Sequence, residues 1–216
     1  MTSPTVNSHS PVVPPEAASG SDPSARAARK AALRRALLGY RHQMSIVDRQ
    51  AAVSCMADAL RDRAEEESWQ CIAVYLPWRE EPDLQPLWRE WQRAGRILAL
   101  PVVVASNAPL EMRSWSESAP LVQDAMGLPV PAEGAVVACD TWLIPCLGIG
   151  PTGERLGAGK GLYDRSIAQA LQRHPRPPRP RLIGLGFAQG LIDEPFREPH
   201  DARLDACLTE LGWRYF

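Results

Sequence analysis

Two short apolar runs, about one helix apart, constrain this chain more than any other feature. Cys71-Ile-Ala-Val-Tyr-Leu76 and Ile97-Leu-Ala-Leu-Pro-Val-Val-Val104 are too short for core helices, and they lack the polar alternation of a strand with one wet face. Pro77 ends the first run. Between them Leu84, Leu87, Trp88 and Trp91 recur at helical spacing, and Gly95 follows as a terminator. Strand, helix and strand within about 35 residues form a βαβ unit, the connection that parallel strands require. The segment therefore predicts a parallel pair covered by helices.

The flanking sequence extends the same alternation. From Arg26, Leu33, Leu37, Leu38 and Met44 recur among Arg and Ala as one face of a basic amphipathic helix. Ser45, with Asp48 three residues on, predicts an N-cap and a second helix through about Glu67, its buried stripe formed by Val53, Met56, Ala57 and Leu60. Strands are expected at Glu111–Trp115, Trp142–Pro145, Leu182–Phe187 and Ala206–Thr209, with a helix over Leu162–Arg173. The expected fold class is α/β: a three-layer, Rossmann-like fold with a mostly parallel sheet flanked by helices. A length of 216 residues fits one such domain, residues 25–216, behind a Ser/Pro-rich tail at 1–24 read as disordered.

Charge and special residues narrow the function. Lys and Arg total 24 against 25 Asp and Glu, a net charge of -1, so the chain has no global field for nucleic acid or anionic lipid. The basic, proline-rich stretch 173–181 reads as an exposed linker rather than a nucleic-acid arm. The tail has no Lys or Arg to make a secretory n-region or a transit peptide, and no apolar run approaches the ~20 residues of a membrane span. Cytoplasm and a monomeric state are the expectations. Five cysteines, none in a Cys-x-x-Cys pair, argue against a zinc ribbon or a disulfide framework, and the four histidines show no metal-ligand spacing.

Chemistry concentrates in Gly153-Glu-Arg-Leu-Gly-Ala-Gly-Lys-Gly-Leu-Tyr-Asp-Arg165, between an expected strand and an expected helix. In α/β sheets that carboxyl edge is where ligands bind. Glycines at 157, 159 and 161 let backbone amides approach an anion, the following helix adds its positive end, and Lys160 adds a point charge. The loop is no Walker A motif, because Glu154 stands where its first Gly belongs and Gly161 where Ser or Thr belongs; nor is it Gly-x-Gly-x-x-Gly. Asp164 is a candidate hard ligand for Mg²⁺ beside phosphates, or simply an acidic residue at a helix N-terminus. Lys30 and Lys160 are the only lysines of the chain.

Four segments taken in order, Lys30-Ala-Ala-Leu-Arg34, Tyr75-Leu-Pro-x-x-Glu-Glu-Pro-Asp83, Arg155–Arg165 and Glu198-Pro-His-Asp201, resemble the 5-formyltetrahydrofolate cyclo-ligase family over roughly residues 26 to 213. The resemblance implies ATP- and Mg²⁺-dependent cyclisation of 5-formyltetrahydrofolate to 5,10-methenyltetrahydrofolate through phosphorylation of the formyl oxygen. It implies ATP contacts at Lys30, Arg34 and Arg155, Leu156, Gly157, Ala158, Gly159, Lys160, Gly161, Leu162 and Tyr163, with Lys160 and Arg155 catalytic. It further implies folate contacts at Leu76, Glu81 and Tyr163, and Mg²⁺ carboxylates at Asp164 and Asp201. Trp78 and Met112 are candidate ring contacts or core residues. Two positions depart from the family pattern: Leu162 replaces the first of two aromatics, and Gly150 replaces an aspartate in Cys146-Leu-Gly-Ile-Gly150. A kinase or ligase for another pterin, and a non-catalytic folate- or nucleotide-binding paralogue with a regulatory role, are the alternatives.

Overall fold

The computed structural model describes residues 23–105, 107–173, 179–196 and 201–216. Most of the expected tail, most of the 173–181 linker, and Glu198, Pro199 and His200 lie outside the described residues.

Helix α1 spans Pro23–Gln43 and α2 spans Ile46–Glu66. Ser45 caps α2 as its side chain predicts, accepting from the Asp48 N–H at 3.1 Å. There follow β1 (Cys71–Ala73), α3 (Gln85–Arg93), β2 (Ile97–Val102) and β3 (Glu111–Trp115). A two-stranded hairpin, β4 (Leu121–Gln123) and β5 (Pro129–Pro131), precedes β6 (Thr141–Pro145). Next come a second small hairpin, β7 (Gly148–Ile149) and β8 (Arg155–Leu156), then α4 (Leu162–Arg173) and β9 (Arg181–Leu185). A 3₁₀ turn at Ala188–Gly190, β10 (Ala206–Thr209) and β11 (Gly212–Tyr215) complete the chain.

The main sheet has seven strands in the order β11-β10-β9-β6-β1-β2-β3. Its five inner strands are parallel, and the outer pairs β2–β3 and β10–β11 are antiparallel. Period-2 alternation splits each inner strand between two cores. Ile72, Val74, Leu98, Leu100, Leu143, Ile183 and Leu208 face Met56 and Leu60 of α2 and Leu87, Trp88 and Trp91 of α3. Ala73, Ala99, Trp142, Ile144, Leu182 and Cys207 face Ile167 and Leu171 of α4. Helices on both faces make the three layers. They also explain why the central strands read as continuous apolar runs. Truncating either fully buried Trp of α3 would cost about 3–5 kcal/mol.

The strands are shorter than the apolar runs that mark them. Pairing of β1 ends at Ala73, although Val74 N–H still donates to Ala99 O at 2.9 Å before the chain turns away to Pro77. β2 ends at Val102 rather than 104, and β9 starts one residue early, at Arg181. Helix α1 stands apart from both sheet cores. Its Leu33 and Leu37 join Leu156, Ile192 and Phe196 in a third cluster that holds α1 against the turns beyond β7, β8 and β9.

Candidate active site

The carboxyl edge of β6 leads into the glycine-rich segment. Ile144 and Pro145 end the strand, and the β7–β8 hairpin reverses the chain, with Gly150 N–H donating to Glu154 O at 2.9 Å. Glu154 is 1% exposed, and its two carboxylate oxygens accept from the N–H and Oγ1 of Thr152, both at 2.9 Å. This staple explains the departure at position 150. A Cβ on Gly150 would collide with Glu154 Oε2 and lie 2.9 Å from its Cδ. The loop then passes through Gly159 at φ +91° and Gly161 at φ +64°, backbone that L-residues adopt only under strain, and enters α4 at Leu162.

Helix α1 closes one side of this cradle. Lys30 Nζ donates to Asp201 Oδ2 at 2.7 Å, and Arg34 Nε donates to Gly157 O at 2.9 Å. Two turns beyond Arg34, Arg41, only 6% exposed, donates from Nη2 to Cys146 O at 2.7 Å. Within the loop, Arg155 Nη2 pairs with Asp164 Oδ2 at 3.0 Å, and its guanidinium carbon stands 5.3 Å from the Tyr163 ring centroid. Arg155 Nε is buried without a hydrogen-bond partner among the described residues, a donor available to a ligand oxygen.

The opposite wall is the turn after β1. Tyr75 OH donates to Pro82 O at 2.9 Å, and Trp88 Nε1 of α3 donates to Tyr75 O at 3.0 Å. Arg79 and Glu80 both take left-handed backbone, φ +48° and +60°, at a cost of about 1–3 kcal/mol each. That turn places the Glu81 carboxylate over the Trp78 N–H, which donates to Oε2 at 3.1 Å. Burial pushes the Glu81 carboxyl up to about 7, opposed by the Trp78 N–H and the nearby Arg41 charge. Burial likewise lowers the Arg41 guanidinium, while Glu81 and Tyr75 act in the other direction. Tyr75 and Tyr163 are held protonated, their pKa values raised first by burial.

These walls enclose one cavity of about 810 Å³, toward the upper end of small-molecule sites at ~300–1,000 Å³. It is lined by Lys30, Arg34, all of Arg155–Tyr163, Asp164, Asp201, Leu76 and Glu81, so every expected site residue comes together. Trp78 also lines it, with the Arg79 guanidinium 4.1 Å from its ring centroid. Met112 does not: it is 5% exposed in the sheet core. The cavity is polarised, with cations at the α1–loop end and Leu100, Pro101, Val103, Leu110, Met126 and Leu128 at the other. Arg41 is a buried, charged lining residue that sequence reasoning missed. Its signal was positional, since an arginine eleven residues after Lys30 falls on the same helical face. Among the described residues no group of three or more His, Cys, Asp or Glu could hold a metal by itself.

A cationic glycine cradle at the carboxyl edge of a parallel sheet, continuous with an apolar chamber, defines an α/β protein with an anion-binding ligand cleft. The chain belongs to the 5-formyltetrahydrofolate cyclo-ligase family, whose model matches residues 26–210. It is 30% identical over 192 residues to the 5-formyltetrahydrofolate cyclo-ligase of Mycolicibacterium smegmatis, covering 83% of this chain and 93% of the relative. The mouse cyclo-ligase is 25% identical over 149 residues, covering 64% and 72% respectively. The solved structure of Aquifex aeolicus 5,10-methenyltetrahydrofolate synthetase superposes with a TM-score of 0.73 at 26% identity, over 86% of this chain and 92% of that one. The Mycoplasma pneumoniae synthetase shares the fold, with a TM-score of 0.64 over 84% of this chain and 98% of that one. No helix among the described residues is long and apolar enough to cross a membrane.

Proposed function

We propose that the protein uses ATP to close 5-formyltetrahydrofolate into 5,10-methenyltetrahydrofolate, releasing ADP and phosphate. The observation that carries this reading is one cavity lined together by the cationic cradle, a set of apolar side chains and Glu81. The chemistry needs both halves at once. A formyl oxygen on N5 is a very poor leaving group until it is phosphorylated, and the phosphorylated formyl group must remain beside N10. The formyl oxygen attacks the γ-phosphorus and ADP leaves. N10 then attacks the formyl carbon and loses its proton, and the C–O bond breaks to release phosphate.

Phosphoryl transfer of this kind depends on positioning and charge neutralisation rather than on a protein nucleophile. Lys30, Arg34 and the amides of residues 157–161 hold the nucleotide phosphates. Lys160 follows the charge of the migrating phosphoryl group, and Arg155, with its free buried Nε, supplies a second fixed donor. Asp164 and Asp201 are hard oxygen donors that line the cradle, as Mg²⁺ requires when nucleotide phosphates complete its shell. They would hold that ion, which when bound offsets phosphate charge. Leu76 and Tyr163 flank the folate ring, and Glu81, as carboxylate, accepts from its N–H donors.

Purified protein given Mg-ATP and 5-formyltetrahydrofolate is expected to build up the ultraviolet absorbance of the methenyl product. Absence of that rise while both ligands bind would identify a binding paralogue instead. Lys160→Ala is expected to lower kcat by about 10²–10³-fold with little change in folate affinity. Wild-type turnover in this variant would remove the loop from the chemistry.

A further inference from the structure

Far from the cleft, at the amino ends of the parallel strands, two thiols meet. Cys71 opens β1 and Cys139 stands two residues before β6, its parallel neighbour. Both belong to the sheet face covered by α4, and their Sγ atoms are 3.5 Å apart. Asp140 fixes the backbone on which they sit. Its Oδ2 accepts from the N–H groups of Gln70 and Cys71 at 2.9 and 2.8 Å, and its own N–H donates to Cys71 O at 2.9 Å. The contact is thus held by the β1–β6 pairing that begins beside it and by a buttressing carboxylate.

We infer that Cys71 and Cys139 form a reversible dithiol oxidation site, which a peroxide converts to a disulfide joining β1 to β6. The step balances with hydrogen peroxide as oxidant. Cys71 releases its proton to solvent and the thiolate attacks one peroxide oxygen. The O–O bond breaks, the departing hydroxide takes up that proton, and Cys71 sulfenic acid and one water result. The Cys139 sulfur then attacks the Cys71 sulfur, the S–S bond forms, the S–O bond breaks, and a second water leaves. Two thiols have lost two electrons and two protons, and the peroxide has taken up both.

The two cysteines differ in the way this sequence of events needs. Cys71 is half-buried, so peroxide can reach it, whereas Cys139 is buried and 7% exposed. The S–H of Cys139 stabilises a Cys71 thiolate and draws its pKa down, and burial and Asp140 oppose the shift. Cys139 moves the other way, which keeps it protonated until Cys71 has reacted. The remaining cysteines lack this arrangement. Burial lifts Cys146 to about 12 and Cys207 to about 11, and Cys55 stands exposed on α2. The cross-link would close a loop between positions 68 residues apart in sequence. Chain-entropy arguments then give a rise in Tm of up to roughly 10 °C.

The test is peptide mapping of the full-length, fully reduced protein after brief exposure to hydrogen peroxide, quenching and alkylation in denaturant. A peptide joining Cys71 to Cys139 is expected, lighter by two hydrogen atoms than its two parts. Alkylatable thiols fall from five to three, and dithiothreitol restores all of them along with the original Tm. In Cys139→Ser, Cys71 is expected to advance to the sulfinic acid instead. The wild-type map decides the matter even if that variant misfolds. Recovery of both cysteines as free thiols, of Cys71 as sulfinic acid beside an unreacted Cys139, or of Cys71 joined to Cys55 of another molecule would each overturn the inference.

Discussion

At neutral pH the carboxyl of Glu81 is divided between its two forms, since burial lifts its pKa to about 7 from an unfolded value near 4.5. The consequences for stability and for ligand binding have opposite signs. Below about pH 4.5 the group is protonated whether the chain is folded or not, so its burial costs nothing. As pH rises from about 4.5 to 7 the unfolded chain ionises it while the folded protein does not, so stability is lost. The loss is complete once the folded protein too has ionised it, above about 7. Glu81→Gln is therefore expected to leave urea stability unchanged near pH 4.5 and to raise it by roughly 1–3 kcal/mol at pH 8. The folate contact proposed for Glu81 needs the carboxylate, so on that reading kcat/KM of the wild type should fall on the acid side of about pH 7. Arg41→Met removes a charge that holds this pKa down. Its acid limb is expected at higher pH, and a limb that does not move would assign the titration to another group.

Among the elements, those with a strong internal period were legible, and those formed by tertiary pairing were not. The Ser45 cap and α4 were readable because cap chemistry and a 3.6-residue period are local. The hairpin β4–β5 was invisible: all three residues of β4 are exposed, and two of the three in β5 are prolines. β11 was missed because Gly212-Trp-Arg-Tyr215 is half or fully exposed and pairs only with β10. β7 and β8 are two residues each, hidden in a stretch that reads as loop. The charged residues and glycines of the cleft were easier to pick out than the strands that carry them, because such residues stand out in any context. Position 150 is the instructive case. In sequence it is a missing aspartate; in the structure it is the space taken by the Glu154 carboxylate. Restoring the family residue is accordingly expected to do harm. Gly150→Asp should cost about 1–3 kcal/mol by overpacking and like charge, measured as a lower urea midpoint. A variant as stable as the wild type would show that the Glu154 staple can move aside.

On the scale of the whole molecule, α1 is attached to the rest of the protein largely through the cleft itself. Its polar ties among the described residues include Lys30 to Asp201, Arg34 to Gly157 O and Arg41 to Cys146 O, with outer pairs from Arg29 to Glu194 and from His42 to Glu80. Its apolar cluster is a small one beside the two sheet cores. A nucleotide held between Lys30, Arg34 and the loop would tie the helix down. Hydrogen exchange in the amides of α1 is expected to slow several-fold on adding Mg-ATP, and much less in α3, which packs on the far face. Equal protection of both helices would mean that ATP tightens the fold globally rather than through α1.

The pairing of Lys30 with Asp201 joins positions 171 residues apart, and this bears on when in its own manufacture the protein can act. Synthesis runs from the amino end, so α1 is complete long before the loop and the carboxylate it must meet. A nascent chain cannot assemble a nucleotide site from α1 alone, and the long loop closure comes last. On the proposed reading, competence to use ATP therefore arrives only once residue 201 has been added, and chains broken off before it lack the Lys30–Asp201 tie.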